Sequence, residues 1–162
     1  MTRRRGKWFL LLPVAALVLV LDQISKAWVL SNIPPNDVWV PIPALANIFV
    51  FRHVTNTGSA FGLFRNGGTV LMAIAVVVIA AIIVYTRYLS TERCLVFLSL
   101  GLQLGGALGN LSDRLRFGHV VDFLDFAYWP TFNVADSSIV VGVALLALLV
   151  LTEKEMSEQV GK

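Results

Sequence analysis

The chain alternates between long uncharged stretches and shorter segments in which most of its charge collects. Trp8 to Leu21 is apolar throughout, and the pattern resumes after Asp22 and Lys26 as far as Leu30. Asn66 to Thr86, Cys94 to Ser112 and Ser137 to Thr152 hold no Asp, Glu, Lys or Arg. Each approaches the roughly 20 residues that cross a hydrocarbon core about 30 Å thick. No water is present there to satisfy backbone groups, so each stretch is read as a helix. Spans at about 8–30, 67–86, 94–112 and 136–152 leave two longer loops, 31–66 and 113–135, in a single membrane domain covering 1–162. The basic run from Arg3 to Lys7 imitates the start of a signal peptide. The apolar stretch behind it is too long for a signal peptide's core, and three spans follow, so an uncleaved first helix is expected.

The first loop is too long for a plain connector. Val38 to Val40 and Asn47 to Thr55 are rich in β-branched and aromatic residues, with Pro34, Pro35, Pro41 and Pro43 between and around them. Short strands forming a small cap are predicted. Gly58 to Arg65 reads as a short interfacial helix, its Ala60, Phe61, Leu63 and Phe64 turned to lipid. Phe123, Phe126, Tyr128, Trp129 and Phe132 in the second loop suit the headgroup level. The predicted fold class is therefore membrane all-α: a four-transmembrane-helix bundle with a small extracytoplasmic β cap and a short interfacial helix.

Composition agrees with this pattern. Of 162 residues 57% are hydrophobic and 14% charged, and the mean hydropathy is +0.76. A soluble domain of this size exposes far more charge. Lys and Arg are scattered over helix ends without forming a stripe, which argues against nucleic acid as a partner. Cys94 is the sole cysteine, so neither an internal disulfide nor a metal–thiolate cluster is available. His53 and His119 are too few to hold a metal alone, and no cofactor is expected. Orientation follows from basic residues at the span ends. With the N-terminus inside, the inner side holds eight (Arg3, Arg4, Arg5, Lys7, Arg87, Arg93, Lys154, Lys162) against four outside (Arg52, Arg65, Arg114, Arg116). Both termini are then cytoplasmic.

In this topology the polar residues gather in one layer at the outer interface. Asp22 and Lys26, four apart, share a face near the outer end of the first span. Asn110, Asp113 and Arg114 end the third, Asp122 follows in the loop, Asn133 and Asp136 open the fourth, and Asn56 precedes the second. Each has a plain structural reading. Asp22 and Lys26 form a neutralised anchor, Asp136 a helix cap, Asp122 a solvated loop carboxylate, and Arg114 a snorkelling side chain. Their convergence in so uncharged a chain points instead to a site. Gly101, Gly105 and Gly109, with Gly106 beside them, give the third span a small-residue face suited to close packing within the bundle, or to dimerisation.

Taken in order, these residues resemble the motif blocks of lipoprotein signal peptidase (signal peptidase II). The blocks are Asn56-Thr57-Gly58-Ser59-Ala60-Phe61, the run Gly105 to Arg114, Val120-Val121-Asp122-Phe123 and Phe132-Asn133-Val134-Ala135-Asp136, with Asp22-x-x-x-Lys26 ahead of them. Ser59 stands where the block often has alanine. The resemblance implies a multi-pass protein of the bacterial inner membrane whose active site faces the periplasmic or outer side. It implies cleavage of diacylglyceryl-modified prolipoproteins just before the lipidated cysteine, with Asp122 and Asp136 as the catalytic pair. Asn56, Asn110, Arg114 and Asn133 carry over as substrate-binding or site-stabilising residues, and Asp113, Asp22 and Lys26 as supporting ones. The expected partners are those prolipoproteins and membrane lipid.

The chemistry fits two carboxylates that share one proton, because like charges at close range do not both ionise. One takes a proton from the attacking water, and the other donates to the developing oxyanion. Asp136 opens a helix, whose N-terminus favours an anion, so the shared proton is expected mainly on Asp122. The competing reading is a small transporter or channel subunit using the same carboxylates. It prefers charges near the midplane and internal repeats, and the sequence shows neither. A purely structural membrane protein, the third reading, has no need of both aspartates.

Overall fold

A computed structural model of the protein describes residues 3–58, 67–89 and 93–160. Four long helices carry the chain: α1 (Arg3–Asn32), α2 (Gly67–Tyr88), α3 (Cys94–Phe117) and α4 (Val134–Val160). All four are long and apolar enough to cross a membrane. Three strands lie beyond one end of the bundle: β1 (Val38–Trp39), β2 (Phe49–Asn56) and β3 (Val120–Phe126). They form one antiparallel sheet in the order β1-β2-β3. The expected interfacial helix, Gly58 to Arg65, lies beyond Gly58 outside the described residues, and Ser59 with it.

α3 is the central plank, with α1, α2 and α4 packed around it. Its glycine stripe faces α1. A Cβ at Gly105 would lie 2.6 Å from the Ala15 carbonyl oxygen and 2.7 Å from Val18 Cβ, so only glycine lets the backbones come this close. Gly106 performs the same service against Ala135 and Ile139 of α4. The stripe is therefore covered inside the bundle. Away from the site, Leu11 and Ala15 of α1, Ile82 of α2, and Phe97, Leu100 and Leu104 of α3 form one apolar cluster.

Two details of the second loop differ from the sequence expectation. α3 does not stop at residue 112 but continues to Phe117, where Gly118 caps it in the left-handed conformation (φ 77°), its N–H donating to the Arg114 carbonyl. Asp113 and Arg114 are thus helical. The stretch after Gly118 forms β3 instead of loop. Its first four residues are all buried, so the alternation that marks a one-sided strand is missing. Phe123 accordingly leaves the expected headgroup belt and packs with Val29, Ile33 and Val121, whereas Tyr128 and Trp129 stay exposed.

We predict that Gly105→Ala, by forcing α1 away from α3, costs about 1–3 kcal/mol. The measurement is the unfolding midpoint of purified protein in mixed micelles, and an unchanged midpoint would contradict the close-packing account.

Candidate active site

The end of the bundle next to the sheet is organised around Lys26. Its ammonium contacts Asp22 Oδ2 at 2.8 Å and Asp113 Oδ2 at 2.8 Å, and donates to Asn110 Oδ1 at 3.0 Å. Three protons meet three acceptors, and Lys26, Asp22 and Asp113 are all buried. The carboxylates then reach further. Asp22 Oδ1 accepts from the backbone N–H of Ala135 in the first turn of α4 (2.9 Å), and Asp113 Oδ2 from that of Val121 in β3 (3.2 Å). Gln23 donates to Asp113 Oδ1 (2.9 Å) and Asp22 Oδ2 (3.2 Å), while its own carbonyl accepts from Arg116 (3.1 Å).

Asp122 is presented by the sheet. Antiparallel pairing sets it opposite Val54, and Asn56, two residues on, points to the same face. Asn56 Nδ2 donates to Asp122 Oδ2 at 2.8 Å. After β3 the chain turns through residues 127–131 and returns alongside it, Phe132 pairing with Leu124. The return delivers Asn133, whose Nδ2 donates to Asp122 Oδ1 at 2.7 Å.

Asp136 is presented by the start of α4. Asn133 accepts from the Asp136 N–H at 2.9 Å, and Asp136 Oδ2 accepts from the Asn133 N–H at 3.3 Å, a reciprocal capping box. Asn110 Nδ2 donates to Asp136 Oδ1 at 2.7 Å, and its own oxygen accepts from Asn133 at 3.2 Å as well as from Lys26. Two asparagines thus stand between the two carboxylates, each donating to one aspartate and contacting the other asparagine. The plain readings of Asp136 as a cap residue and Asp122 as a solvated loop carboxylate fare differently. Asp136 does take part in the cap, but Asp122 is buried.

Burial pushes the Asp122 carboxyl from its ordinary 3.8 up to about 6. The hydrogen bond from Asn56 opposes this shift, and the negative Asp136 adds to it. Arg114 is half-buried, one turn beyond Asn110, and among the described residues its one hydrogen bond goes to the Asn110 carbonyl, at 3.5 Å. Every residue named from the sequence belongs to this layer. Gln23 is the addition that sequence reasoning misses: it carries no charge and looks like filler between Asp22 and Lys26. Its one signal is an amide beside Asp22 in a span whose other polar residues are few. Among the described residues no group of three or more His, Cys, Asp or Glu side chains is placed to hold a metal ion.

Four spanning helices with buried carboxylates gathered at one end define a multi-pass membrane protein built around a polar site. The family described as Signal peptidase (SPase) II matches residues 14–152, and the chain belongs to that family. It is 50% identical over 138 residues to the lipoprotein signal peptidase of Moorella thermoacetica, covering 85% of this chain and 89% of that protein. With the lipoprotein signal peptidase of Halothermothrix orenii it shares 41% over 145 residues, 90% of this chain and 97% of that one. A bacterial membrane enzyme solved by the in meso method at 2.3 Å superposes with a TM-score of 0.79 at 28% identity, covering 87% of each chain. The protein is a peptidase that removes signal peptides from prolipoproteins. The transporter reading of the carboxylates is set aside.

We predict that Lys26→Met leaves Asp22 and Asp113 facing each other without a counter-charge and costs about 3–5 kcal/mol of stability. Thermal unfolding in detergent measures this, and a loss below about 1 kcal/mol would show the triad to be dispensable.

Proposed function

We propose that Asp122 and Asp136 are the catalytic pair of an aspartic endopeptidase, cleaving diacylglyceryl-modified prolipoproteins just before the lipidated cysteine. The observation that carries this reading is the paired arrangement of the carboxylates, each held by its own asparagine donor with the two asparagines in contact. Asp136, ionised in the first turn of α4, takes a proton from water as the oxygen attacks the scissile carbonyl. Asp122, which holds its proton up to about pH 6, donates it to the developing oxyanion. As the gem-diol collapses, the proton taken by Asp136 passes to the leaving amine and a hydroxyl proton of the gem-diol returns to Asp122, so the pair is again singly protonated.

The other residues have supporting parts. Asn133 and Asn110 orient the pair. Asn56 steadies Asp122 from the sheet, and Arg114 is free to meet substrate carbonyls or lipid headgroups at the membrane surface. Asp22, Lys26 and Asp113 fix the helices that carry these groups. The chain is a single domain of the bacterial inner membrane, both termini cytoplasmic, with the site on the periplasmic or outer side. That orientation rests on the eight-to-four distribution of basic residues. A diacylglyceryl substrate reaches the site laterally from the bilayer.

Asp122→Asn and Asp136→Asn should each lower kcat/KM on a lipidated prolipoprotein by about a thousandfold or more, with the fold retained by circular dichroism. Activity kept by either folded variant would remove that residue from the chemistry.

The pH profile of kcat/KM supplies an independent check. Productive enzyme needs the proton on Asp122, so the rate should fall as pH rises through about 6. The Asn56 hydrogen bond favours the ionised form, so Asn56→Ala should move that limb to higher pH. A limb that stays in place or moves down would show that the limb does not report Asp122.

A further inference from the structure

Two buried donors find no hydrogen-bond partner among the described residues, Gln103 Nε2 and Arg114 Nε. Buried polar groups in proteins are nearly always paired, and more so where no water can substitute. Gln103, Asn110 and Arg114 lie at i, i+7 and i+11 of α3, so both donors share the face that carries Asn110 to Asp136. Gln103 also stands about 200° round the helix from Gly101 and from Gly105, the residues that face α1. It therefore looks along the flank of the α3–α4 seam that α1 leaves uncovered. α2 packs on α3 but makes no substantial contact with α4.

A groove of about 420 Å³ lies there, lined by Gln103, Val143, Leu146, Ala147, Val150 and Leu151. Val143 and Val150 follow Asp136 by seven and fourteen residues, so the apolar wall descends the same face of α4 that carries Asp136 at its outer end. Gln103 is the one hydrogen-bonding side chain in that lining, near the middle of α3. Along the helix it is about 10 Å from Asn110.

We propose that this groove seats the apolar segment of the signal peptide and that Gln103 donates to a backbone carbonyl of it, an inference that rests on the proposed function above. A peptide bond is attacked in extended chain, whereas an apolar segment inside the membrane is helical. Where helix gives way to extended chain, the last carbonyls of the helix lose their partners. At about 3.3 Å per extended residue, that junction lies about three residues before the scissile bond when it is level with Gln103. The amide then fills a vacancy that the substrate's own geometry creates. An acyl chain offers no acceptor at this depth, because its ester carbonyls stay near the glycerol, at the level of the aspartates. Gln103 is thus a positioning residue for the substrate, and the groove is the track that aligns the scissile bond.

The test combines cross-linking with kinetics. A lipidated prolipoprotein carrying a photoreactive residue four to ten positions before the cleavage site is irradiated with the Asp122→Asn protein in vesicles of phosphatidylethanolamine and phosphatidylglycerol. Adducts are expected on residues 143–151 of α4, and adducts confined to α1 or to the outward face of α2 overturn the groove. For the kinetics, Gln103→Leu and the groove-filling Ala147→Trp are compared on the full-length substrate and on a lipopeptide with only four residues before the cysteine. Each should raise KM for the long substrate about tenfold and cut the long-over-short preference in kcat/KM by a similar factor. An unchanged preference in both overturns the proposal. Because cross-linking needs no substitution in the groove, a variant that fails to fold does not shelter it. If the unsubstituted protein cleaves neither substrate, the proposed function falls and this inference with it. Normal cleavage with adducts elsewhere removes the groove alone.

Discussion

Lys26 carries its ammonium into the buried layer next to the sheet, and that half of the molecule is arranged so that the charge is never left alone. An isolated ammonium in such surroundings costs several kcal/mol or more, so its partners must be present in full. Asp22 is supplied from one turn earlier on the same helix, and Asp113 and Asn110 come from α3. The carboxylate oxygens are themselves bonded to the backbone of α4 and β3. Displacing any of these segments would expose an unpaired charge to an apolar interior. The same energy that makes the triad costly therefore makes the relative placement of four segments rigid. An aspartate pair spread over a strand and a helix, if it is to act as one site, needs that rigidity.

The two aspartates differ because their supports differ. Asp136 sits in a helical first turn and completes the cap that starts its own helix, so its position is set locally by Asn133. Asp122 sits on a strand, buried, with two side-chain amides for company. Burial acts against its charge more strongly than the amides act for it. Asn133 couples the two environments: its oxygen caps α4 while its nitrogen holds Asp122. One side chain thus sets both the spacing of the pair and the environment that separates its members.

The spans and the polar layer are legible in the sequence because uncharged runs of that length seldom occur outside a membrane, and because each charge in such a chain stands out. The strand β3 is not legible. Val120 to Phe123 is buried throughout, so no alternation distinguishes it from an apolar loop segment. The end of α3 is hidden for a related reason. Asp113 reads as the point where apolar chain gives way to water, but Lys26, 87 positions earlier in sequence, neutralises it and lets the helix run on. The aromatic belt comes out too broad, because sequence cannot tell a phenylalanine that faces headgroups from one that packs under a sheet. Gln23 escapes because it lies inside the first span between Asp22 and Lys26, outside the motif blocks that pick out the asparagines.

α3 shows why, among the described residues, no helix closes the flank between α2 and α4. Its glycines consume one side on α1, Gly106 seats α4, and Leu100 and Leu104 join Ile82 of α2 in the apolar cluster. A helix has little more than three faces to give, and the line through Gln103, Asn110 and Arg114 runs along the edge of the α3–α4 contact, where Asn110 meets Asp136. A substrate confined to the bilayer needs such a line, since an apolar segment cannot leave the membrane to approach its enzyme. If the bundle closed symmetrically around α3, the aspartates would be equally well held and out of reach. The glycine stripe therefore does more than tighten packing: it draws α1 and, through Gly106, α4 onto α3, and on the proposed route the flank beyond them receives the peptide to be cut.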